Sequence, residues 1–174
     1  MQKQDIISEW FRLYSNDIYN FLVYYRGSQD VYDLVQETFI KATRGLHNFR
    51  KQSKPKTWLI SIARNVAIDH SRKEKRRPHT SPLTFSDREK YVTDHNPEDK
   101  LLENEAVEEI YGHIMSLRHN YRDVLILRGI QGMSIKESAE ILNWTESKVK
   151  QTFYRARKAL EKRLMKKGVL HYES

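Results

Sequence analysis

The chain has 174 residues, no cysteine, and 31 Lys or Arg against 23 Asp or Glu, giving a net charge of +8 and a pI near 9.6. A disulfide framework and a thiolate metal site are therefore excluded, and the seven histidines show none of the helical i, i+4 pairing of a histidine metal site. No apolar run approaches the roughly 18 residues of a membrane span and no signal-peptide pattern opens the chain, so a soluble, cytoplasmic protein with a polyanion as partner is expected.

Six glycines and four prolines point to an all-α chain with few tight turns. Ile6 to Arg26 reads as one long helix whose Trp10, Phe11, Leu13, Tyr14, Ile18, Phe21, Leu22 and Tyr25 spread round much of its circumference, as in a helix wedged between others. Gly27 and Ser28 end it. Asp30 is placed to cap the next helix, with Asp33 near its positive amino end. There Val31, Leu34, Val35, Thr38, Phe39, Ala42 and Leu46 form a core stripe, and Asp33, Gln36, Glu37, Ile40 and Arg44 the opposite face. An acidic face with an exposed isoleucine suits a protein partner better than DNA, although a solvated surface explains the same pattern.

Asn48 to Lys56 is a polar, basic loop in which Pro55 can begin the following helix. On that helix, from Trp58 to about Lys75, Leu59, Ile62, Ala63 and Val66 pack on one side, and Ile60, Ala67 and Ile68 lie elsewhere. Trp58, Asn65 and Arg72 form a line with Arg64 and Arg76 nearby. An aromatic, an amide and guanidiniums beside a basic loop are the chemistry of a single-strand reader, because unstacked bases need a platform and edge-specific donors. A buried Trp58 with Asn65 satisfied by backbone is the plainer alternative. His70 to His79 then sets five cations against one carboxylate, a net +4.

Pro78 to Pro97 holds three of the four prolines and no helical period, as in an extended linker. Asp87 to Glu109 carries nine acids against three bases, which would keep that flank off DNA. Glu103 to about Leu117 and Tyr121 to Gly129 read as two helices of a second domain with Ile110, Ile114, Leu117, Val124, Leu125 and Leu127 as its core, and Gly132 allows a tight turn after them.

From Ser134 to about Leu142 a short helix begins in a capping box of Ser134 and Glu137. Asn143 and Trp144 interrupt it, and Thr145 can cap a second helix from Glu146. Val149, Phe153, Ala156 and Leu160 fall in one apolar stripe, with Gln151, Tyr154, Arg155 and Lys158 opposite. Between Asn143 and Gly168 nine Lys or Arg face two Glu, a net +7, nearly the whole chain's excess of +8. A helix-turn-helix puts such a second helix in the DNA major groove, its amino end at base edges and its later cations on phosphates. Lys148, Lys150, Gln151, Tyr154 and Arg155 suit the first task, and Arg157, Lys158, Lys162 and Arg163 the second.

QDVYDLVQETFIKA at Gln29 to Ala42, KTWLISIARNVAIDHSRK at Lys56 to Lys73 and the closing helix-turn-helix, in this order, resemble a bacterial RNA polymerase sigma factor of the extracytoplasmic-function group, from about Phe11 to Met165. The resemblance implies two small helical domains, sigma region 2 over residues 1–77 and sigma region 4 over residues 101–174, joined by a flexible linker over 78–100. It implies that Asp33, Leu34, Val35, Gln36, Phe39 and Ile40 dock on the clamp helices of the polymerase's largest subunit. Phe49 and Ser53 of the loop, with Trp58, Ile62 and Asn65, would capture a flipped base of the minus-ten element. Arg64, Arg72, Lys73, Arg76 and Arg77 would hold the adjoining phosphates. Lys148, Lys150, Gln151, Tyr154, Arg155 and Lys158 would read the minus-thirty-five element as duplex.

Partners implied are core RNA polymerase, through clamp helices and flap, promoter DNA, and an anti-sigma protein of the kind often held at a membrane. No cofactor and no lipid are expected. Two departures stand out: the helix from Trp58 has one aromatic where primary sigma factors use several for melting, and no room exists between the domains for a middle domain, so the linker would thread the polymerase as a strand. A regulator binding duplex DNA unaided, as a dimer, is the first rival, and no heptad or apolar dimer face supports it. The other is a metal-dependent nuclease on Asp33 and Glu37, which lacks a third carboxylate or a histidine base. With neither a Gly-rich phosphate loop nor a nucleophile motif, a non-enzymatic protein is expected.

Overall fold

The computed structural model describes residues 2–76 and 105–168, and every regular element among them is helical. The expected linker and most of its acidic flank, with Arg77, lie outside the described residues. The chain divides into two units.

The first unit is three helices, α1 (Lys3–Arg26), α2 (Tyr32–Gly45) and α3 (Pro55–Arg76), each packed on the other two. α1 starts three residues before the expected Ile6, because the Asp5 carboxylate accepts from the Gln2 backbone N–H at 3.2 Å and satisfies the first turn. It ends as expected at Gly27, whose φ of 68° only glycine adopts freely and whose N–H donates to the Val23 carbonyl at 2.8 Å.

The cap of α2 differs from expectation. Val31, not Asp30, is the flanking residue, no side chain caps it, and the Asp30 N–H instead donates to Ser28 Oγ at 3.1 Å. Val31 is fully buried, so packing of this apolar side chain sets where the helix enters the core and leaves Asp30 one residue outside. Leu34, Val35, Thr38, Phe39 and Ala42 follow it inward as expected, whereas Leu46 falls in a 3-10 turn, Leu46–Asn48, and is half-buried.

Pro55 begins α3, where its missing N–H costs nothing. The buried arc of α3 is wider than expected. Ile60 and Ala67 are fully buried beside Leu59, Ala63 and Val66, and Ile62 is only half-buried. Two helices lie against α3, so its apolar face must serve both.

In the second unit α4 (Glu105–Ser116) and α5 (His119–Val124) precede a π-helical segment, Leu125–Ile130, and then α6 (Ile135–Leu142) and α7 (Glu146–Lys166). α5, α6 and α4 all pack on α7. Val124, Leu125, Ile126 and Leu127 are buried in succession, and with Tyr111, Ile114, Leu117, Met133, Ile141, Leu142 and Val149 they form the core. Ile110, expected there, is half-buried. Gly132 takes φ 64° at the bend into α6.

Candidate nucleic-acid interface

Local chemistry builds the α6–α7 pair. Ser134 Oγ accepts from the Glu137 N–H at 3.0 Å while the Glu137 carboxylate accepts from the Ser134 N–H at 2.8 Å, the reciprocal box expected from the sequence. Asn143 ends α6 in the left-handed region at φ 55°, and the Trp144 N–H returns to the Ala139 carbonyl at 3.0 Å. Thr145 Oγ1 then caps α7, accepting from the Lys148 N–H at 3.1 Å.

Val149 and Ala156 of the expected stripe are fully buried, with Leu164 added, whereas Phe153 and Leu160 are half-buried. Two guanidiniums lie over the Phe153 ring, Arg128 at 5.4 Å and Arg157 at 5.7 Å. Arg128 also donates to the Met133 carbonyl at 2.5 Å, tying the π-helical segment to the bend before α6.

Opposite the buried stripe, Ser147, Gln151, Tyr154 and Lys158 recur at spacings of four and three and are all exposed. Lys150 and Arg155 flank this line, also exposed. Ser147 joins the line beside the residues expected from the sequence. It carries no charge or ring to draw notice, and only its position on the first turn of α7 marks it. Tyr154 is 64% exposed, with the Lys158 ammonium 5.6 Å from its ring centre. Lys148 turns back over the Trp144 ring at 4.3 Å. Arg163, expected on phosphate, donates to Ser116 Oγ and joins α7 to α4.

In the first unit Trp58, Ile62, Asn65, Arg72 and Arg76 follow one line of α3, with Asn65, Arg72, Lys73 and Arg76 exposed and Arg64 half-buried off that line. Asp69 interrupts the line, and Lys41 of α2 meets its carboxylate at 3.8 Å. Trp58 is not a free platform. Its ring lies 5.2 Å from Phe49 and 6.0 Å from Trp10 and is half-buried. Ser53, half-buried, donates its backbone N–H to the Arg50 carbonyl at 3.0 Å and shapes the loop.

On α2 the six residues of the expected partner face separate. Asp33, Gln36 and Ile40 are exposed, Ile40 at 51%, whereas Leu34, Val35 and Phe39 are 3%, 6% and 5% exposed and belong to the core. Phe39 presents its ring to Phe11 of α1 at 4.9 Å. Glu37 is paired with Lys41 at 3.6 Å. No described helix is long and apolar enough to cross a membrane.

Comparison with known proteins matches these two units in order. The family model for sigma-70 region 2 covers residues 10–77 and that for sigma-70 region 4 covers residues 108–160. The pair defines a sigma factor for promoter-specific transcription initiation. The extracytoplasmic-function (ECF) RNA polymerase sigma factor SigX of Bacillus subtilis is 40% identical over 154 residues, 87% of this chain and 79% of that protein. The RNA polymerase sigma factor YlaC of the same organism is 34% identical over 95% of this chain and 96% of its own length.

The chain belongs to the sigma-70 family, in its extracytoplasmic-function group. Its fold is shared with CnrH in complex with the cytosolic domain of CnrY, at a TM-score of 0.66 and 24% identity over 92% of this chain and 88% of that one. It is shared also with the sigma factor RpoE in complex with the anti-sigma factor NepR from Bartonella quintana, at 0.64 and 22% over 91% and 96%.

Proposed function

We propose that the protein binds core RNA polymerase and reads its promoter in two states, the minus-thirty-five element as duplex through α7 and the minus-ten element as unstacked single strand through α3 and the preceding loop. The observation that carries this reading is the exposed line of Ser147, Gln151, Tyr154 and Lys158 on a helix capped by Thr145. A glutamine there can bond an adenine edge in two places and the tyrosine ring can meet a thymine methyl, while Lys150, Arg155 and Lys158 supply cations for guanine or phosphate. Asn65, Arg72, Lys73 and Arg76 serve the single strand, with Asn65 toward the base and the cations on phosphates. Asp33, Gln36 and Ile40 form the surface for the polymerase clamp.

The energetics require both anchors. Opening DNA costs about 1.4 kcal/mol of stacking per base-pair step, and one base received on protein returns about 1–3 kcal/mol. A single captured base cannot offset a bubble, so the duplex anchor and the polymerase channel must supply the rest.

Of the solved relatives of the fold, RpoE is in complex with the anti-sigma factor NepR and CnrH with the cytosolic domain of CnrY. A protein inhibitor covering the α2 face or α7 is the corresponding proposal here. Transcription in vitro with purified core polymerase over a genomic fragment library is the test. New discrete starts that need this protein, sharing two spaced elements, are expected. Specific retardation of duplexes by the protein alone, with no new starts, would instead make it a regulator and remove the single-strand role of Asn65.

A further inference from the structure

We propose that Trp10, on α1 and outside every segment of the DNA-reading motifs, is a positioning residue for the loop of residues 49–54. This rests on the reading above that the loop receives an extruded base.

Three rings close the loop at both ends. Phe49 stands at its start and Trp58 in the first turn of α3, their ring centres 5.2 Å apart. Trp10 meets Phe49 at 5.0 Å with the planes at 77° and Trp58 at 6.0 Å with the planes at 72°. Edge-to-face contacts of this kind have a preferred direction, because the positive ring edge seeks the negative face. They fix orientation as well as distance. Each ring is half-buried and engaged by the other two, so the trio is an anchor and not a set of open faces for bases.

Between the anchors the loop has no apolar side chain of its own to bury. Arg50, Lys51, Gln52 and Lys54 are exposed and none is apolar. Its backbone bonds run from the Ser53 N–H to the Arg50 carbonyl at 3.0 Å and from the Trp58 N–H to the Lys54 carbonyl at 3.1 Å. A second tie from α1 reaches the same end, where Asp17 meets Lys56 at 3.5 Å. The Trp58 ring also lies beside Gly45, where an added Cβ would meet it at an ordinary contact distance of 3.8 Å. Contacts from α1 thus grip the loop at both ends. A loop already held in its receiving shape spends less binding energy on ordering when the base arrives.

The experiment uses holoenzyme assembled from the full chain and core polymerase, with promoter probes carrying 2-aminopurine at each minus-ten position of the non-template strand in turn. Fluorescence rises where a base leaves the stack. Trp10→Ala is expected to weaken the apparent affinity read from that signal about five- to tenfold, the loss of two aromatic pairs. Trp10→Phe should recover most of it. The melting temperature should fall by a few degrees with the lost ring contacts, whereas polymerase affinity and binding to a minus-thirty-five duplex should stay near wild type. If Trp10→Ala fails to fold, Trp10→Leu, which keeps apolar bulk without an aromatic edge, takes its place in the same comparison. An undiminished signal in the Trp10 variant while Asn65→Ala abolishes it would overturn the positioning role and leave base capture standing. Equal loss of the signal and of minus-thirty-five binding would also overturn it, as a general structural effect. A wild-type holoenzyme with no position of enhanced fluorescence would sink the base-capture reading itself.

Discussion

Arg26, in the last turn of α1, pairs with Glu74 near the end of α3 at 2.7 Å, and its second guanidinium nitrogen donates to Ser71 Oγ. The other Glu74 oxygen lies 3.4 Å from His70 Nδ1. Glu74 is the one carboxylate in the basic run from His70 to His79. Its pairing with Arg26 removes a negative charge from among Arg72, Lys73 and Arg76 and fixes the turns that carry them.

Replacing Arg26 by Ala should therefore lower the stability of the first unit by about 1 kcal/mol, a modest figure because Glu74 is half exposed. Arg26→Lys should restore only part, since an ammonium lacks the planar fork that spans both partners. Thermal unfolding of the two variants checks this, and equal stability of Arg26→Lys and wild type would show that charge alone matters.

Neighbouring residues of α2 should behave in opposite ways. Phe39→Ala removes a ring that is 5% exposed and should destabilise by about 3–5 kcal/mol. Ile40→Asp, at a residue 51% exposed, should leave the melting temperature within a degree or two and weaken polymerase binding. Denaturant titration and a core-polymerase binding assay, run side by side, separate the two. Undiminished affinity in Ile40→Asp would mean that this face meets something else.

The helix-turn-helix depends on three local devices. Ser134→Ala, which breaks the capping box, should cost about 1 kcal/mol. Gly132→Ala should cost a similar amount purely through its φ of 64°, because an added Cβ there would meet nothing within 4 Å. Asn143→Gly should be neutral or gain a few tenths of a kcal/mol, as Gly enters the left-handed region more easily. Chemical denaturation of the full chain, following the second unit's transition, measures all three.

On α7 the kinds of loss should differ. Gln151→Ala should cost about 1–3 kcal/mol at one promoter position and relax preference there. Lys158→Ala should weaken all promoters alike and reduce the salt slope by about 0.9. Arg163→Ala, whose guanidinium is given to Ser116, should lower stability with little effect on that slope. Binding titrations at several salt concentrations on a set of single-base promoter variants distinguish the three. A salt-slope change at Arg163 as large as that at Lys158 would return it to the phosphate contacts.

Much of this protein is legible in its sequence for a physical reason. The Ser134–Glu137 box, the Thr145 cap, the ends at Gly27 and Asn143 and the turn at Gly132 are decided by interactions within a few residues, so residue type and spacing determine them. The order of the three motifs likewise carries the family. What tertiary structure decided involves residues far apart in the chain, or a choice between faces that periodicity leaves open. Arg26 and Glu74 are 48 positions apart, and Trp10 meets Phe49 and Trp58 across two helices. Packing also moved the cap of α2 from Asp30 to Val31 and gave Arg163 to Ser116. In each case the deciding free energy is burial or pairing with a distant partner, and that partner's position exists only once the helices have docked.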